Sequence, residues 1–361
     1  MRSLTEQLLA ASLPPAERIT PEVAQRVEEL ANVRKWREIK QLLLAVPREE
    51  LSRHPRVMFV LADAFGRLGF VERAVELAQE ASDRFAAQGD QEQWLLARKR
   101  VGAYVAERGM LDQAEAILSE VIAAAEPLGM LEVMGGVLNN LGAIAGMRGA
   151  RDEAFRYYER ALAAGQKAGD EQGLARTYYN LALAYRDSDL FMEADALFLE
   201  AGRRARAIGD EWLAQIAGTA RAELELRRKG WSPPELDAAW RQAMVRFDVF
   251  ASTLGQAEAQ KLAGMVAASR GDHAAAARRF SDAIDLAAAH GNPLLAAEAR
   301  MERAESRLKL GELAHARTDF ADAAVLFAEL GNDEAAGRAR DRVALIPPDT
   351  LSPSTPPAGH G

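Results

Sequence analysis

The sequence predicts an all-α fold: antiparallel helix pairs stacked side by side and wound into a right-handed superhelical solenoid. Three observations predict it. A turn residue recurs at a nearly constant interval. Gly69, Gly109, Gly149 and Asp189 are 40 apart, Gly230 and Gly271 follow at 41 each, and Gly311 at 40. An alanine stands five residues after most of them, at Ala74, Ala114, Ala154, Ala194, Ala276 and Ala316. A second glycine stands twenty after, at Gly89, Gly129, Gly169, Gly209, Gly291 and Gly331. A fixed period of this length marks units that bury their apolar faces only against their neighbours.

Composition sets the outer bounds. The 361 residues would by length suggest two or three domains, but a solenoid grows in one dimension without a central core. No apolar run reaches the length of a membrane span. In the first fifteen residues Glu6 and Gln7 interrupt the apolar stretch, so no secretory signal is expected. The absence of cysteine excludes disulfides, thiol catalysis and cysteine-based metal sites. A cytoplasmic protein is the expectation. A net charge of −8 argues against a general phosphate-binding surface, so neither nucleic acid nor membrane is an expected partner.

The units follow in order. Residues 1–20 are an extension or cap. Val23 to Val33 and Trp36 to Val46 form one degenerate helix pair, and the chain then passes through His54-Pro55 into the first clear repeat. The third repeat shows the logic best. Val137, Leu138, Leu141, Ile144 and Ala145 keep helical spacing up to Gly149, and Ala154, Tyr157, Tyr158, Ala161 and Leu162 keep it beyond. Gly149 ends the first helix, because glycine accepts the left-handed conformation that a helix end needs. Asp152 and Glu153 fall in the next first turn, where negative charge suits the helix dipole. Gly169-Asp170 closes the pair and opens the next. Regular repeats are thus expected over 21–229 and 255–345. Between them, 230–254 is irregular: Gly230-Trp231-Ser232-Pro233-Pro234 replaces the usual turn, a helix runs from about Glu235 to Phe250, and Gly255 comes only sixteen before Gly271. This is either a local change of stacking or a hinge or second binding site. The proline-rich 346–361 stretch is expected to be disordered.

The pattern resembles the tetratricopeptide repeat. Asn180-Leu181-Ala182, Tyr185, Asp189, Ala194, Phe198 and Ala201 stand at that family's signature spacing, as do Asn140-Leu141-Gly142, Gly149, Ala154, Tyr158, Ala161 and Leu162. The usual period is about 34 residues. The longer unit here is similar to the repeats of MalT-type bacterial regulators and related peptide-binding scaffolds. No Gly-rich loop ending in Gly-Lys-Ser/Thr occurs, and no DNA-binding helix-turn-helix is recognisable, so only the repeat arm of such a regulator is expected.

The sequence carries no recognisable enzymatic signature. The histidines at 54, 273, 290, 315 and 360 form no HExxH helix, and His273, His290 and His315 read as cations at helix ends. No GxSxG elbow occurs, and the carboxylates read as solvated helix faces. No cofactor and no metal are expected.

The resemblance implies that the first helices of the pairs line a concave groove. The position before the signature leucine or its equivalent carries Arg100, Asn140, Asn180 and Arg221 in four successive repeats, a polar ladder in mid-solenoid, and the neighbouring repeats have Val60, Leu262 and Glu302 there. Asparagine both donates and accepts, which suits a peptide backbone, and the arginine fork suits a carboxylate. Lys99, Arg176 and Arg186 add positive charge on or near this face. Tyr179, beside Asn180, is a groove-facing aromatic, whereas Tyr158, Tyr178 and Tyr185 occupy core positions. Gly136 and Gly146 also face the groove, either to admit a ligand backbone or with no role. The expectation is a non-enzymatic scaffold that binds an extended peptide or a partner helix. The alternative is a MalT-like or peptide-receptor-like sensor whose superhelix changes pitch and acts through a separate output protein.

Overall fold

The computed structural model describes residues 16–230 and 235–347. Residues 1–15 of the expected cap, the Trp231–Pro234 turn and the end of the proline-rich tail therefore lie outside the described residues. Eighteen helices and no strand occur among those described. A degenerate pair, α1 (Pro21–Asn32) and α2 (Trp36–Leu43), is followed by a short α3 (Arg48–Arg53). Regular pairs are α4 (Pro55–Arg67) with α5 (Val71–Gln88), α6 (Gln91–Glu107) with α7 (Leu111–Ala125), α8 (Leu131–Met147) with α9 (Arg151–Ala168), and α10 (Glu171–Asp187) with α11 (Phe191–Ala207). The pair α12 (Glu211–Lys229) and α13 (Glu235–Val249) is the irregular one. Then come α14 (Thr253–Ser269) with α15 (His273–His290), α16 (Pro293–Lys309) with α17 (Leu313–Glu329), and a final α18 (Asp333–Ala344). From α4 onward each helix packs chiefly on its sequence neighbours, except that α12 packs on α14 as well as on α13; before that, α2 packs on α4.

The periodic residues perform the work expected of them. The turn glycines have positive φ (84° at Gly69, 79° at Gly109, 74° at Gly149), and Asp189 replaces one at 58°. Asparagine and aspartate tolerate this region better than other side chains. Ala74, Ala114, Ala154, Ala194, Ala276 and Ala316 are fully buried. A larger side chain at any of them would wedge the two helices of the pair apart. The second helix of each pair is followed by a side-chain cap on the next in most units. Asp90, Asp170, Asp210, Ser252, Asn292 and Asn332 each accept a backbone N–H three residues on. The irregular unit has two causes. The helix α12 is 19 residues long, against 17 for α6, α8 and α10. In α14, Gly255 leaves room for the Phe247 ring, with which a Cβ there would collide.

The superhelix also closes on itself. Four successive intra-pair turns rest on four successive inter-pair loops one superhelical turn later. Arg34, at φ 57°, pairs with the buried Asp210 at 2.7 Å. The Leu68 carbonyl accepts from Thr253 Oγ1 at 3.4 Å, and Arg67 lies over the Trp212 ring. Gly109 abuts Pro293 and Leu330. The Met147 carbonyl accepts from Asn332 Nδ2 at 3.1 Å, and Arg151 meets Glu334 at 3.1 Å. Sequence separations of 176 to 185 mean that one turn takes about four and a half units. This seam converts the expected open groove into a lumen whose sides are covered.

Candidate ligand-binding lumen

Counting from the caps places the inner wall. The sixth residue after the cap is Gly136, Arg176, Glu258 or Glu298. The ninth is Lys99, Asn139, Tyr179 or Lys261. The tenth is Arg100, Asn140, Asn180 or Glu302. Spacings of three and four put these side chains on one helix face.

The stripe changes character along the superhelix. In the later half it is acidic and internally paired. Lys261, almost fully buried, places Nζ at 3.2 Å from Glu223, 3.2 Å from Glu258 and 2.9 Å from Glu298. Burial disfavours its charge, but the three carboxylates outweigh that and hold its pKa well above the lysine value. Arg227 pairs with Glu223 at 3.0 Å and reaches Glu302 at 3.6 Å. Burial raises Glu223, and Lys261, Arg186 and Arg227 more than reverse it, so this carboxyl is depressed. Glu258 and Glu302 are pushed up by burial, which the neighbouring cations do not fully offset.

In the earlier half the stripe is basic and largely unpaired. Arg100 pairs with Asp63 at 3.0 Å, and Tyr104 donates to the same carboxylate at 2.9 Å. Lys99 and Arg176 make no ion pair or hydrogen bond among the described residues. Burial, then the charges of Arg100 and Arg176, lower Lys99 to about 8. Burial, then Arg67 and Arg100, lower Arg176 to about 9. Both are only half-buried, so water still reaches them although protein surrounds them.

The expected ladder is thus distributed unevenly. Lys99, Arg100, Asn140, Arg176, Tyr179 and Asn180 share the inner wall. Asn180 donates from Nδ2 to Asn139 Oδ1 at 3.1 Å, and Asn140 makes no side-chain hydrogen bond. Tyr179 is half-buried, its ring 5.9 Å from Phe198 and its hydroxyl pKa raised by burial. Arg186 is buried between Asp187 at 2.7 Å, Glu223 at 3.6 Å and Glu298 at 4.0 Å, which assigns its charge to the acidic network. Arg221 stands eleven rather than ten after its cap; Ala220 holds the ladder position. Its side chain is 46% exposed and pairs with Asp195 on α11 at 2.6 Å. The two glycines divide as well. A Cβ on Gly136 would meet Lys99 Nζ at 3.0 Å, so this glycine makes room for that lysine, whereas Gly146 faces open space. His290 differs from the expected helix-end cation. It is buried in the seam, and burial lowers it to about 4, so it is neutral at pH 7.

Of the inner carboxylates, Glu302 stands at the ladder position that counting from the turn glycines gives, nine before Gly311. Glu258 and Glu298 lie one helical turn earlier, at the place Arg176 takes in its unit, and Glu223 lies in the lengthened α12, so these three do not stand out in the sequence. Among the described residues no group of histidine, aspartate and glutamate side chains is arranged to hold a metal ion. No described helix is long and apolar enough to cross a membrane.

Helix pairs stacked into a superhelix with a polar inner wall define an α-solenoid repeat protein. Residues 134–207 match the tetratricopeptide repeat family model, and helix pairs of the same form recur on either side. No curated protein sequence matches the chain. Among solved structures it is similar to a signal transduction ATPase with numerous domains from Pyrococcus horikoshii, a protein with a tetratricopeptide repeat sensor. The match has 12% identity and a TM-score of 0.50, over 90% of this chain and 52% of that one. It is also similar to a Rap protein complexed with competence and sporulation factor, at 15% identity and a TM-score of 0.49, over 91% and 98%. A third is the apo quorum sensor NprR from B. thuringiensis, at 16% and 0.46, over 79% and 80%. At these identities the likeness concerns the fold alone.

Proposed function

We propose that this protein is a non-enzymatic interaction protein whose lumen takes up an extended peptide or helix of a partner. One observation carries the reading. Inner-wall polar groups of the later half are consumed by one another, whereas Lys99, Asn140 and Arg176 in the earlier half are directed inward without partners. Polar groups left so in an enclosed site gain most from a ligand that satisfies them. A random-peptide display selection on wild type and on the Asn140→Ala, Arg176→Ala, Asn180→Ala triple variant tests it. Peptides enriched by wild type and lost by an equally stable variant support the reading. Equal enrichment by both refutes it.

The seam favours a second reading for the same site, a sensor that answers a ligand by changing superhelical pitch. Its contacts are few, a mixture of hydrogen bonds, ion pairs and the apolar contact of Gly109 with Pro293 and Leu330, so a ligand that binds one pitch better shifts the population toward it. Solution scattering decides between the two. A change of envelope on adding a selected peptide supports the sensor, and an unchanged envelope leaves the scaffold.

A further inference from the structure

The seam uses only half of the turns and loops that could make it. It seats the intra-pair turns at Arg34, Gly69, Gly109 and Gly149 on the inter-pair loops at Asp210, Thr253, Pro293 and Asn332. Eight helix pairs and the final α18 make nearly two superhelical turns, so the complementary halves are left over at the two ends. Among the described residues, no later superhelical turn covers the intra-pair turns at Asp189, Gly230, Gly271 and Gly311. No earlier one covers the inter-pair loops at His54, Asp90, Met130 and Asp170. A Cβ on Gly69, Gly109 or Gly149 would meet the next superhelical turn at 2.8 to 2.9 Å, whereas on Gly230, Gly271 or Gly311 it would meet no described atom within 4 Å.

Charge follows the same division. In the seam a cation from the turn meets a carboxylate from the loop: Arg34 with Asp210, and Arg151 with Glu334. At the uncovered turns, Arg228 and Lys309 stand two residues before Gly230 and Gly311 and are exposed. At the uncovered loops, Glu92 stands two after Asp90, as Glu334 does after Asn332, and Glu171 follows Asp170. The exceptions match as well, for the acidic turn is Asp189 and the basic loop is that of His54 and Arg56. Taken in chain order, as in the seam, Asp189 falls to the Arg56 loop, Arg228 to the Glu92 loop and Lys309 to the Glu171 loop. We propose that a second copy of this chain docks its four uncovered loops on these four turns, so that the superhelix and its seam continue from copy to copy. The two surfaces differ, so the contact is heterologous and does not close; it builds an open filament rather than a dimer. Exposed ion pairs are worth little singly, so the filament lengthens with protein concentration.

Sedimentation equilibrium at low ionic strength tests this. The weight-average mass of wild type should rise past that of a dimer as concentration rises. Two charge-reversed variants separate the edges: Arg228→Glu, Lys309→Glu on the turns, and Glu92→Lys, Glu171→Lys on the loops. All four side chains are exposed, so circular dichroism should show both variants folded as wild type is. Each variant alone sets like charges against each other at the junction and should stay monomeric. Mixed in equal amounts, the two regain opposite charges at every junction and should assemble as wild type does. A wild type that stays monomeric, or that stops at two copies, would overturn the proposal. So would growth in either variant alone, or a mixture of folded variants that remains monomeric.

Discussion

Lys261→Met tests the charge arrangement of the lumen most sharply. The substitution keeps the length of the side chain and removes a charge that is 1% exposed. It leaves Glu258 without its cation and Glu298 with only Arg186 at 4.0 Å, while Glu223 retains Arg227 at 3.0 Å and Arg186 at 3.6 Å. Breaking a buried ion pair from one side costs about 3–5 kcal/mol. Because Glu258 and Glu298 are still about a quarter exposed, the loss belongs at the lower end, about 3 kcal/mol at pH 7. The loss must also depend on pH. In wild type the Glu223 and Glu298 carboxyls are depressed, so their contribution is present above the unfolded carboxylate pKa and is lost as pH falls through the folded value. In the variant the same carboxyls move upward, so acidification favours its folded state. Urea denaturation followed by circular dichroism at pH 7 and pH 5 should therefore show a gap that narrows at pH 5. The equivalent change at Lys99 should have the opposite sign. Lowered from 10.5 to about 8, Lys99 burdens the folded protein below pH 8 and ceases to do so as pH rises toward 10.5. With water reaching it, Lys99→Met should stabilise by about 1 kcal/mol at pH 7. Equal losses for both lysine variants, or a Lys261→Met gap unchanged between pH 7 and pH 5, would refute the reasoning.

Other outcomes follow from packing. Leu141→Ala, at 6% exposure in α8, should cost about 2–5 kcal/mol in thermal or urea unfolding; a loss below about 1 kcal/mol would contradict its placement in the core. Gly109→Leu forces a side chain against Pro293 and Leu330, atoms of which lie 2.9 and 3.3 Å from its Cβ, so solution scattering should show a larger radius of gyration. Gly89→Leu carries similar backbone strain at φ 72° but meets nothing within 4 Å, and its radius should match wild type. Equal radii for the two variants would refute the seam. Arg221→Ala should leave peptide capture unchanged, since that side chain pairs with Asp195.

The fold was legible because its determinants are local. A glycine or Asp189 at each turn and a small alanine five residues on suffice to define a helix pair and its repeat. Much of the candidate site was legible for the same reason: Lys99, Asn140, Arg176, Tyr179 and Asn180 follow from helical spacing within one unit. Three features were not. The seam joins Arg34 to Asp210 and Met147 to Asn332, and nothing in either local segment specifies contacts at separations of 176 and 185. One extra residue between Asp210 and Gly230 displaced Arg221 from the ladder position, because a turn glycine marks where a helix ends, whereas the cap residue marks where its facing begins. The role of Gly136 depends on Lys99 from the preceding repeat, a relation that exists only once the pairs are stacked.

The central claim is that the lumen is where the partner segment lies. It is tested most directly by site-specific photocrosslinking of a display-selected peptide. A photoreactive residue would replace Tyr179 on the inner wall or, as a control, the exposed Glu159 on α9. Binding in the lumen predicts crosslinking at 179 that unlabelled peptide competes away, and none at 159. Efficient crosslinking at 159 with none at 179 would contradict it.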